Sequence, residues 1–175
     1  MSQVEVSHLL GWTPMTVSRC VRELQRKGLC SAQSGGRSCI VSLGGGRDLW
    51  NQAVSRLSSP VMARRFARMP VRGMKGGACE AGVTALSRYT TVGDDPVPSF
   101  AIHHRLVREM GRGEELQMLP YREEPCVIVE LWRYDPVPLS ADGVVDRLSL
   151  YLSLRGNPDE RIEGALRDLL EGVKW

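Results

Sequence analysis

Three guanidiniums, those of Arg19, Arg22 and Arg26, recur at steps of three and four residues, so a helix would set them in one line with Met15. Thr16 and Ser18 flank that line. A guanidinium forks onto O6 and N7 of guanine or clamps a phosphate, and short hydroxyls near a helix start reach phosphates or base edges. The chemistry such a face could do is recognition of duplex DNA. The expected contacts are Thr16, Ser18, Arg19, Arg22 and Arg26 on the helix. Arg37, at the tip of a later hairpin, suits the narrow, electronegative minor groove.

The elements that must position these residues can be read around them. Thr13 can cap a helix by accepting a backbone N–H bond, and Pro14 suits its first position. Val17, Cys20, Val21 and Leu24 then form an apolar stripe opposite the arginines. Gly28 tolerates the left-handed conformation that ends helices. Upstream, Val4 to Leu10 has the spacing of a short helix and Gly11-Trp12 supplies a turn. Downstream, 29–34 and 38–43 can pair as a hairpin over Gly35-Gly36-Arg37. A basic helix face alone is often merely solvated. Here cap, turn, helix, glycine and glycine-tipped hairpin agree with one another in the order that a winged helix requires.

Thr16-Val17-Ser18-Arg19, Val21-Arg22-Glu23-Leu24 and Lys27-Gly28-Leu29 together resemble the recognition helix of MarR-like bacterial winged-helix regulators. The resemblance covers about the first quarter of the chain. It implies an N-terminal winged helix-turn-helix over residues 1–46 and a sequence-specific regulator of transcription, read here as a repressor. Double-stranded DNA is the expected partner, and a homodimer the usual form of such readers of two-fold sites. Such domains carry a further helix before the Val4–Leu10 segment, and this chain starts at Met1. The expectation is that the true start lies upstream, or that another segment or subunit covers the exposed apolar side.

The chain has 175 residues, 42% of them apolar, and a net charge of +3 that hides an asymmetry. Residues 1–75 hold 12 Lys and Arg against 3 Asp and Glu, and the remainder 11 against 17. That split suggests a basic, nucleic-acid-binding portion joined to an acidic one that faces away from DNA. No leader or long uncharged apolar span stands out, so the expected location is the cytoplasm, with no membrane contact. Five scattered cysteines without a Cys-x-x-Cys pair suit reduced thiols.

Gly44-Gly45-Gly46 reads as a linker, and Asp48 as the cap of a connecting helix within 47–59, with Leu49, Trp50, Ala53, Val54 and Leu57 inward. Residues 60–175 read as a small α+β domain for partner binding or self-association, so the fold class is α+β throughout. In it, the arginines of Ala63–Met69 either extend the DNA footprint or lie on a solvated face. Pro70 to Gly77 turns, and Gly77 to Tyr89 forms a helix of small residues. Ser99–His103 and Cys126–Trp132 are strands, the second central and covered on both faces. Asp142–Leu154 forms a helix with Val144, Leu148, Tyr151 and Leu152 on one side. A closing helix is capped at Asn157, with Pro158 first and Ile162, Leu166, Leu169, Leu170 and Val173 inward.

Ala81 to Tyr89, Asp146 to Tyr151 and Asp159-Glu160-Arg161 are similar to the domain that follows the winged helix in AbiEi-type abortive-infection antitoxins. That resemblance implies an alternative: an autorepressor that neutralises a nucleotidyltransferase toxin, with the acidic portion facing the toxin-like partner.

Motifs for catalysis are missing. Gly73 to Gly77 lacks the Gly-Lys-Ser/Thr ending of a phosphate loop, and no Gly-x-Ser-x-Gly elbow occurs. His103 and His104 would point to opposite faces of a strand and make a poor chelate. Asp94-Asp95 reads as turn-forming, and Glu130 has Trp132 where a nuclease would place Lys. No catalytic residue, cofactor or metal is expected. A further alternative is a ligand-sensing regulator, with His103, Tyr121, Trp132 and Tyr134 lining a cavity.

Overall fold

Proline can open a helix but not continue one, and glycine can close one in the left-handed region. Both signals act on the second helix of the chain. In a computed structural model, which describes residues 1–35, 38–68, 77–107 and 116–175, Pro14–Arg26 is α2. Thr13 caps it, its hydroxyl oxygen accepting the Thr16 N–H at 3.2 Å. Past its end Gly28 has φ +70°. The Leu29 N–H reaches back to the Leu24 carbonyl at 2.9 Å and the Gly28 N–H to that of Gln25 at 3.0 Å, pairing carbonyls that a helix end otherwise leaves open.

The helix before it, α1 (Gln3–Leu10), starts with a reciprocal cap. Ser2 Oγ accepts the Glu5 N–H at 3.2 Å, and the Ser2 N–H donates to Glu5 Oε2 at 2.7 Å. That backbone bond holds the Glu5 carboxyl below its ordinary range. Gly11, at φ +62°, ends α1, and the hydroxyl of the buried Ser7 donates to the Trp12 carbonyl across the turn. Val4, Leu9 and Trp12 remain exposed.

Strands β1 (Cys30–Gly35) and β2 (Ser38–Leu43) form an antiparallel hairpin, from Cys30 opposite Leu43 to Gly35 opposite Ser38. Its inner face sets Cys30, Ala32, Cys39 and Val41 half-buried, and Ser31, Gln33, Ile40 and Ser42 point to solvent, the alternation of a one-sided ribbon. Met1 and Ser2 run beside β2: the Val41 N–H donates to the Met1 carbonyl at 2.9 Å, and Ser2 bridges Ile40. Helix α3 (Gly46–Ala53) follows, with a short 3₁₀ turn over Val54–Arg56. Gly45 is its cap residue and no side chain bonds there, so Asp48 sits in the first turn rather than at the cap. Val17, Val21, Leu29, Trp50 and Ala53 are buried. Residues Met1–Leu57, with Trp175, make up one of two compact units.

The second unit, Ser58–Lys174, is built on a five-stranded mixed sheet in the order β4-β5-β7-β3-β6. The strands are β3 (Val61–Arg68), β4 (Ala78–Glu80), β5 (Ser99–His103), β6 (Gln117–Leu119) and β7 (Val127–Trp132). β5 and β7 run parallel and the other pairs antiparallel. β7 is central, as its apolar run predicts. One face packs Cys79, Ala101 and Trp132 under Leu86, Leu150 and Leu169 of α4 (Gly82–Tyr89), α5 (Arg147–Leu154) and α6 (Glu160–Glu171). The other face packs Ala67, Ile102, Val127 and Val129 with Leu116. Gly82 opens α4 at φ +57°, where a Cβ would stand 3.0 Å from that of Ser99. No helix among the described residues is long and apolar enough to cross a membrane. The α+β class read from the sequence is the one observed.

Several expected elements differ in detail. The helix expected over 77–89 begins only at Gly82, because Ala78–Glu80 pairs with β5 as an edge strand. The helix expected from Asp142 begins at Arg147, capped by Asp146. Asp142 and Gly143 instead form a turn with positive φ, closed by backbone bonds between Ala141 and Val144. Leu150 therefore points inward, and Leu148 and Tyr151 are only half-buried. The last helix is capped by Asp159; Asn157, two residues earlier, accepts the Asp159 N–H at its Oδ1, at 3.0 Å. The segment with Arg64, Arg65 and Arg68 is strand β3. Except for Gly77, the turn expected over Pro70–Gly77 lies outside the described residues.

Candidate nucleic-acid interface

The two sides of α2 are sorted by its period. Val17 is 1% exposed and Val21 buried, with Cys20 and Leu24 half-buried beside them. Burying a valine fully is worth about 1.5–3 kcal/mol, so this side fixes how the helix rotates. The side turned out carries Met15, Arg19, Arg22 and Arg26, all exposed and spaced at i, i+4, i+7 and i+11. Met15 is 67% exposed.

Among the described residues no carboxylate pairs with these three arginines. Glu23, the one acid on the helix, is bonded to Lys27 at 2.8 Å, and that bond draws its pKa below the ordinary value. Arg22 Nε reaches the Ser18 carbonyl at 3.4 Å, which lays its side chain along the helix surface. The three guanidiniums therefore keep nearly all their donors turned to solvent, the state in which they can fork onto base edges or phosphates.

Of the other expected contacts, Thr16 is exposed, but its hydroxyl already shares a bond with Thr13 Oγ1 at 2.9 Å. Ser18 is half-buried. Arg37 lies outside the described residues. Met15 belongs to the exposed line by periodicity, yet its apolar side chain is not of the donor type from which the expected contacts were drawn.

The charge split takes a different form once the units are known. Residues 1–57 hold 7 Lys and Arg against 3 acids, and 58–174 hold 16 against 17. Much of the early positive charge thus belongs to the second unit, where two of the strand arginines are already paired. Arg64 meets Glu130 at 2.9 Å and Arg68 meets Glu123 at 2.9 Å.

The remaining chemical candidates are engaged in bonds within the fold. Glu130 is 1% exposed, with Oε1 accepting from Arg64 Nε at 2.9 Å and Oε2 from Trp132 Nε1 at 3.0 Å. Asp94 and Asp95 accept backbone N–H bonds from Asp95 and Val97, the part of turn formers. His103 and His104 do not diverge as strand neighbours would. His104 leaves the strand, so the rings meet edge to face at 4.7 Å, and the His104 Nδ1–H donates to the Trp132 carbonyl at 3.1 Å. Among the described residues no three His, Cys, Asp or Glu side chains are placed to hold a metal ion.

The four proposed cavity residues differ in burial. Trp132 is fully buried and packs edge to face on Tyr134 at 5.6 Å, whereas Tyr121 is 67% exposed. The Tyr134 hydroxyl shares a 2.7 Å bond with Ser149. All five cysteines are free thiols, and burial pushes the Cys30 and Cys79 thiols further toward the protonated form. No family model matches the chain, and neither does any curated protein or solved structure.

Proposed function

We propose that the chain binds duplex DNA sequence-specifically through its N-terminal unit, a winged helix-turn-helix with α2 as the reading helix, and that it regulates transcription in the cytoplasm as a repressor. The observation that carries this reading is the line Arg19-Arg22-Arg26, exposed and, among the described residues, without a carboxylate paired to it, on a helix whose opposite side is anchored by Val17 and Val21. The surroundings support it. A turn locked by Ser7 precedes α2, a hairpin follows it, and Met1-Ser2 adds a short edge to that hairpin. A reading helix in this setting lays its first turns in the major groove. The second unit, with near-neutral charge, serves to bind a protein partner or a second copy.

Selection of duplexes from a random library, followed by titration of the winner, tests the reading. Binding that selects a consensus and weakens with salt supports it. Enrichment of no sequence, with no binding at low salt, contradicts it.

A further inference from the structure

We propose that α2 reads a thymine one or two base pairs from a guanine, with Met15 packed on the thymine methyl and Arg19 forked onto the guanine. The inference rests on the DNA-binding reading of α2 and names what that helix recognises.

Met15 occupies the second position of α2 and is 67% exposed, at the head of a line whose other members are guanidiniums. The first turn of a reading helix is the part that meets base edges. There the two neighbouring hydroxyls are compromised: Thr16 is bonded to Thr13 and Ser18 is half-buried. Met15 is therefore the one long side chain of the first turn, residues 14–17, at the disposal of a ligand, and it has no polar group to offer. The major groove presents one apolar feature, the thymine methyl.

Arg19 follows four residues later on the same side, about 6 Å along the axis at 1.5 Å per residue. A duplex rises about 3.4 Å per base pair, so the two side chains address positions one or two pairs apart. The line also lacks a free carboxylate. Glu23, which could accept a hydrogen bond from the cytosine N4–H, is held by Lys27. Donors and one apolar group match guanine and thymine.

The test uses the full chain and the duplex selected above, with three versions of its site: native, thymine replaced by deoxyuridine, and guanine replaced by an analogue lacking N7. Wild type should lose about fourfold in affinity when one thymine gives up its methyl, the worth of one buried carbon. Met15→Ala should bind the native site about fourfold less tightly and be indifferent to the methyl. Arg19→Ala should be indifferent to the loss of N7. Wild type binding native and deoxyuridine sites equally, or Met15→Ala keeping the preference, overturns the proposal and leaves DNA binding standing. Wild type that binds no duplex overturns both.

Discussion

Val17 and Arg19 stand two residues apart on α2 and face opposite ways, Val17 into the core at 1% exposed and Arg19 into solvent. In the proposed DNA-binding reading, stability and recognition fall to different sides of one helix, and substitutions should separate them.

Arg19→Ala should leave the melting temperature unchanged and weaken binding to a selected duplex by about 1–3 kcal/mol, the worth of one bidentate contact. Val17→Ala should do the reverse in kind, lowering stability by about 1–3 kcal/mol through lost burial and the cavity left behind. Thermal unfolding beside a binding titration checks both. Equal losses of stability in the two variants would mean that the sides are not so divided.

Gly28 has φ +70° and nothing within 4 Å of where its Cβ would stand. A substitution there meets conformational cost rather than a clash. Gly28→Ala should lower stability by about 1–2 kcal/mol and Gly28→Asn by less, because Asn tolerates the left-handed region. Denaturant unfolding of the pair gives the order, and Asn proving the worse of the two would contradict it.

Arg64 and Glu130 face each other across β3 and β7, and Glu130 is closed off from water while Arg64 is 53% exposed. Arg64→Met should leave a buried carboxylate with Trp132 as its remaining partner and cost about 2 kcal/mol. That is below the ~3–5 kcal/mol of a fully buried pair, because water already screens Arg64. Glu130→Gln keeps a hydrogen-bonding head and should cost less than Arg64→Met. Unfolding midpoints with the opposite order would refute the account of this pair.

Burial, reinforced by His104 and Arg105, draws the His103 pKa below its ordinary value of 6.5. The folded chain then binds the His103 proton less readily than the unfolded chain does. Protonation therefore favours unfolding, and this part of the stability is present above 6.5 and lost as pH falls from there through the lower folded value. The depressed Glu5, Glu23 and Asp159 carboxyls lose theirs lower, as pH falls below their ordinary values near 4. His103→Gln should flatten the stability profile in the upper window and not in the lower. A profile unchanged between pH values on either side of 6.5 would count against it.

Local signals were the legible ones. Thr13, Pro14 and Gly28 bound α2 by bonds within a few residues of themselves, and the turn and hairpin around it follow the same logic. Where two residues of one type competed, distant partners decided. Both Asp142 and Asp146 can cap a helix, and the bridge from Glu80 to Val144 puts the first of them in a turn. Ala78-Cys79-Glu80 carries no strand signal of its own and pairs because β5 offers an edge. The Arg64–Glu130 pair joins residues 66 apart in sequence, beyond the reach of any periodicity. Exposure of the arginine line on α2 and the i,i+4 pairing of Glu23 with Lys27 follow from spacing; the bond that occupies the Thr16 hydroxyl depends on side-chain rotamers that spacing does not set.

The salt dependence of duplex binding tests the central claim most directly. For wild type the logarithm of affinity should fall steeply with the logarithm of salt concentration. In the triple variant Arg19→Ala, Arg22→Ala, Arg26→Ala the slope should shrink by about 2–3, close to one unit per lost phosphate contact. A folded triple variant that binds the same duplex with the wild-type affinity and slope would contradict it.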